Sequence, residues 1–93
     1  MSAGDAERFG LVNRVVAADQ LETVVSELAE RLAAGPPKAI AAAKRAVNRA
    51  LECSLEEAME FESYLQEVQA GSEDFREGVS AFVEKRPAKF TGS

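Results

Sequence analysis

The chain has no histidine, no tryptophan and a single cysteine among its 93 residues. Without histidine there is no imidazole to act as a general base, a pH switch near neutrality or a metal ligand. The lone Cys53 cannot close an internal disulfide, and no Cys, Asp or Glu cluster has metal-ligand spacing. Cys53 falls at a helix boundary with no base available, so it reads as a small packing residue rather than a nucleophile. No glycine-rich phosphate loop of either common pattern occurs. Positive charge is in the minority: 11 Lys and Arg stand against 16 Asp and Glu, for a net charge of −5. A basic footprint for nucleic acid is therefore missing. No apolar run is long enough for a membrane span and no signal peptide is visible, so the expectation is a soluble, cytoplasmic protein. Aromatics make up only 6% of the residues. Alanine, valine and leucine carry the apolar content, which favours close helix packing around a thin core. One small domain is the upper limit for this length, with roughly 60–70% of the unfolded surface buried.

The sequence is rich in helix punctuation. Residues 1–10 read as a helix stub that Gly10 ends. Leu11, Val12, Val15 and Val16 are largely β-branched, so residues 11–16 are expected to form a short strand. That strand would need a partner to pair its backbone groups, and the chain offers no second candidate. Asp19 is a plausible cap for a helix over residues 20–34, with Leu21, Val24, Val25, Leu28 and Leu32 along one face. Gly35 and Pro36-Pro37 break it and start the next helix, over residues 37–52. This second helix is the basic one, with Lys38, Lys44, Arg45 and Arg49. Ser54 and Glu57 have the spacing of a capping box ahead of a third helix at 55–70. Its apolar side is Leu55, Ala58, Phe61, Leu65 and Val68. Gly71 stops it and Ser72 caps a fourth helix over 73–85, which Pro87 closes. The acidic start (Glu73, Asp74) and basic end (Lys85, Arg86) of this helix suit its dipole. The fold class is mainly α: four helices behind one isolated strand, with a helix stub and the strand over residues 1–18 and the full helices over 19–93.

Few constellations carry chemistry. The glutamates of the third helix have no sign of enclosure that would separate a donor from an acceptor. They read as a solvated face. The basic second helix can pair with the acidic third, through exposed contacts worth about 0–1 kcal/mol each, or can present a surface to phosphate or an acidic partner. Phe82 fits the apolar stripe of the fourth helix together with Phe75, Val79 and Val83, so periodicity alone reads it as core. Lys85, Arg86 and Lys89 around Pro87 then form a solvated tail. The other reading pairs the Phe82 ring with the Lys85 ammonium as a contact for a ring and a phosphate.

Three stretches, FGLVNRVV at 9–16, ERLAAGPPKAIAAAKRAVNRAL at 30–51 and SEDFREGVSAFVEKRPAKF at 72–90, resemble the enoyl-CoA hydratase/isomerase (crotonase) family in content, order and interval. The resemblance covers about residues 6–91 and places them in the C-terminal part of that fold. It implies that residues 1–18 are the end of the core of a larger α/β protein and that residues 19–93 are its helical oligomerisation (trimerisation) region, assembling as a homotrimer or hexamer or with full-length crotonase subunits. It also implies acyl-CoA as substrate, with no other cofactor, for hydration or isomerisation in fatty-acid metabolism. The oxyanion-binding backbone amides and the catalytic glutamates of such enzymes belong to their N-terminal part. No position here matches them, so no catalytic residue is carried over and this chain alone is expected to be inactive. Some hydratases send a phenylalanine and a lysine from the last helix to a neighbour's CoA. Phe82 and Lys85, in AFVEKR, match them. The isolated strand would find its partners in the remainder of such a fold. The competing reading is a free-standing helical interaction module without activity.

Overall fold

A computed structural model describes all 93 residues. Five α-helices follow one another: α1 (Ala3–Arg8), α2 (Leu21–Ala33), α3 (Pro37–Ala50), α4 (Leu55–Ala70) and α5 (Glu73–Glu84). A single 3-10 turn, Ala18–Gln20, leads into α2. The mainly helical class expected from the sequence is what the chain adopts. Two compact units are present, Met1–Glu30 and Arg31–Ser93.

The first unit begins with a capping box. Ser2 Oγ accepts the Asp5 N–H at 3.1 Å, and the Asp5 carboxylate accepts the Ser2 N–H at 3.2 Å. The Ser2 hydroxyl, donating to Asp5 Oδ2 at 2.7 Å, and then the Ser2 N–H hold the Asp5 carboxyl below its ordinary range. Gly10 follows the helix at φ 74°, a left-handed position that glycine occupies without steric cost. The strand expected over residues 11–16 does not form: residues 11–13 bend and residues 14–17 have no regular pattern. Its β-branched residues have no second strand to pair with. The Leu11 N–H instead turns back to the Ala6 carbonyl at 2.8 Å, and the Val15 N–H goes to Glu7 Oε1 at 3.0 Å. Asp19 is not a cap either. It lies inside the 3-10 turn, whose N-cap is Ala17 with no side-chain bond.

In the second unit α4 packs on both α3 and α5. Pro37 opens α3 at the position where a missing N–H costs nothing. The Ser54–Glu57 box forms as its spacing demands, with the Ser54 N–H on Glu57 Oε2 at 2.8 Å and the Glu57 N–H on Ser54 Oγ at 3.2 Å. The bond from the Ser54 amide lowers the Glu57 pKa. Ser72 serves two helices at once: its Oγ accepts the Phe75 N–H at 3.1 Å and donates to the Gln69 carbonyl at 2.7 Å. The buried apolar residues are only Ala42, Leu65 and Ala81. Large side chains expected to face inward do not: Leu55 and Val68 are both exposed. The basic residues of α3 make no ion pair with α4. Arg49 instead lies over the Phe61 ring, 4.7 Å from its centroid.

Candidate functional site at the end of helix α5

The chain does not run off into solvent after α5. It doubles back along the helix and is tied to it by three carboxylates, Glu73, Asp74 and Glu77, the first accepting the Ser93 hydroxyl at 3.0 Å. Asp74, only 5% exposed, accepts the Thr91 N–H at 2.7 Å and the Gly92 N–H at 2.8 Å. The Asp74 N–H in turn donates to the Ser93 carbonyl at 3.2 Å. Gly92 has φ 83°, and a β-carbon there would also come within 3.0 Å of Pro37. A side chain at that position would be strained twice over, by the backbone and by the contact.

Glu77, one turn further along α5, holds the other end of the return. Its two oxygens receive Arg86 Nη1 at 2.6 Å and Nη2 at 2.9 Å, a parallel fork. The Lys89 N–H reaches Glu77 Oε1 at 2.8 Å. Arg86 Nε donates to Glu84 at 2.6 Å. The guanidinium, followed by the Lys89 amide, pulls the Glu77 carboxyl from its ordinary 4.5 down to about 2. Reciprocally, the two carboxylates raise the Arg86 pKa. Between these anchors Phe90 lies against Gly78, where a β-carbon would meet the ring at 3.6 Å.

The returning tail forms a wall of a cleft of about 360 Å³. Pro36, Ala39, Phe75, Val79, Phe82 and Phe90 give it an almost wholly apolar lining. Such a surface takes up hydrocarbon or aromatic groups. The carboxylate in its lining, Asp74, is taken up by the Thr91 and Gly92 amides, so the lining holds no second acid or base paired with it.

Of the two residues singled out in the sequence, Phe82 lines this cleft and Lys85 does not. Phe82 is 84% exposed, so in this chain it is not a core residue. Lys85 follows one turn later as the C-cap of α5, exposed and in no ion pair. Phe75 and Val79, read as packing groups, line the cleft at 39% and 50% exposure. Sequence reasoning missed Glu77 and the anchoring roles of Arg86 and Asp74. Asp74 was visible only as an acidic residue in the first helical turn. Its partners lie 17 and 18 residues away, beyond any helical period.

The family model for enoyl-CoA hydratase/isomerase matches residues 1–93. The chain belongs to the enoyl-CoA hydratase/isomerase family. It is 47% identical over 90 residues to a probable enoyl-CoA hydratase of Rhizobium meliloti (strain 1021), covering 97% of this chain and 35% of that protein. It is 36% identical over 92 residues to the 1,2-epoxyphenylacetyl-CoA isomerase of Escherichia coli (strain K12), covering 99% of this chain and 35% of the relative. Among solved structures, enoyl-CoA hydratase subunit I from Geobacillus kaustophilus HTA426 matches with a TM-score of 0.95 and 44% identity, over 100% of this chain and 36% of that one. The chain thus spans about a third of the length of the family members it matches. That extent and its helical character agree with the C-terminal helical region of the crotonase fold. No helix is long and apolar enough to cross a membrane.

Proposed function

We propose that residues 1–93 act as the C-terminal helical segment of an enoyl-CoA hydratase/isomerase subunit. On this reading residues 1–18 close the catalytic core and residues 19–93 join subunits into a trimer or hexamer. Phe82 and Lys85 contribute a ring and an ammonium to acyl-CoA held by a neighbouring subunit. By itself the segment is catalytically inert, since no residue in it matches the oxyanion or acid–base positions of the family.

The observation that carries this reading is how little the chain buries. Its only buried apolar residues are three small or medium ones, while Leu51, Leu55, Phe82 and Val83 are each more than 70% exposed. A free-standing domain of this size would bury most of its large apolar groups, and faces of this kind mark contact surfaces.

The test is a crotonyl-CoA hydration assay on the purified 93-residue chain, with light scattering on the same sample. No turnover, together with association or a loosely packed state, is expected. Turnover above a Phe82→Ala, Lys85→Ala control would refute the inert segment. A sharply unfolding monomer would replace it with a free-standing interaction module.

A further inference from the structure

Lys85 is the one non-glycine residue with a positive φ, at φ 53° and ψ 41°. Helices that stop on a left-handed residue favour glycine there, because a β-carbon crowds the next carbonyl. A lysine in that conformation persists where the surroundings hold it. Both flanks of Lys85 are held. On the helix side, its N–H reaches the Phe82 carbonyl at 3.3 Å, and the Arg86 N–H reaches the Ala81 carbonyl at 3.0 Å. On the tail side, the Arg86 guanidinium is forked onto Glu77 and bonded to Glu84. The same contacts engage Glu77 and one oxygen of Glu84, and Lys85 itself is in no ion pair.

We propose that Glu77, acting through Arg86, is a positioning residue for Lys85. The fork fixes the left-handed turn and so sets where the ammonium stands relative to the Phe82 ring one helical turn earlier. The inference rests on the reading that Phe82 and Lys85 meet acyl-CoA. Glu77 itself touches no ligand. Its effect is on the apparent affinity for an anionic thioester, not on the bond-making step.

The experiment measures KM and kcat for crotonyl-CoA in the full-length enzyme that contains residues 1–93. Wild type is compared with Lys85→Ala, Glu77→Gln, the double variant and Ser54→Ala. Removing a charge-assisted phosphate contact is expected to raise KM about tenfold in Lys85→Ala, with kcat within about twofold. Glu77→Gln is expected to raise KM about three- to tenfold, and the double variant to be no worse than Lys85→Ala, because groups acting through one another are not additive. Ser54→Ala loses a helix cap far from Lys85 in sequence and should leave KM unchanged. Should Glu77→Gln fail to fold, Arg86→Lys keeps the charge but loses the fork and should show the same non-additivity.

The positioning role is overturned if Glu77→Gln leaves KM unchanged while Lys85→Ala raises it. It is equally overturned if Glu77→Gln multiplies KM by the same factor with and without Lys85, or if Ser54→Ala raises KM as much. An unchanged KM in Lys85→Ala instead removes the acyl-CoA contact at Lys85, and the role of Glu77 goes with it.

Discussion

Lys85→Gly takes a β-carbon away from a left-handed backbone position and an ammonium away from the end of α5. The two losses have opposite consequences. A side chain at φ 53° and ψ 41° costs about 1–2 kcal/mol relative to glycine. Glycine gives back part of this, roughly 0.5–1 kcal/mol, through the greater freedom of the unfolded chain. The balance is a net gain of about 0.5–1 kcal/mol. Lys85→Ala keeps the β-carbon and removes the charge, so it gains nothing. The informative quantity is the difference between the two variants, because both lack the ammonium and any effect of assembly cancels. In urea or thermal unfolding of the full-length enzyme under identical conditions, Lys85→Gly should exceed Lys85→Ala by about 0.5–1 kcal/mol, one to a few degrees in Tm. In the full-length enzyme, on the proposed acyl-CoA contact, both should raise KM by the same factor. A glycine variant less stable than the alanine variant would refute the argument that Lys85 holds a strained conformation. Equal stability with unequal KM would show that the turn, rather than the ammonium, makes the contact.

Two further outcomes follow from the carboxylates that anchor the tail. Glu77 has a folded pKa near 2 against an ordinary 4.5, so its contribution is complete above about pH 4.5 and is lost as pH falls toward 2. The Lys89 amide resonance should follow this change and stay constant above pH 5; a midpoint near the ordinary glutamate value would show that the fork is not populated. Asp74→Asn presents one acceptor where the Thr91 and Gly92 amides need two, which should cost about 2 kcal/mol and speed tryptic cleavage after Lys89. Unchanged cleavage would mean that the tail is held mainly by Phe90 and Gly78.

The helix ends of the second unit were legible to within a residue or two because their signals are local. Ser54 and Glu57 meet inside one turn, Ser72 caps its own helix, and Pro37 suits a first turn wherever it occurs. The strand was misread for a related reason. Val12, Val15 and Val16 have the side chains of a strand, but a strand is a property of two segments and its partner is not in this chain. The inward faces were misread as well. Periodicity shows which residues share a side of a helix, and it cannot show whether anything lies against that side. Leu55 and Phe82 keep the helical spacing and remain exposed.

The amino-acid order by itself determined the family, the helical class and the lack of any histidine, since composition, caps and breakers act over a few residues. The tertiary structure alone decided that the basic tail returns along α5. It also decided that Asp74 and Glu77 bind the tail, and that Lys85 stands in a left-handed turn and in no ion pair. Those contacts join residues 9 to 18 positions apart, and their partners are set by how the chain folds back, which no local pattern encodes.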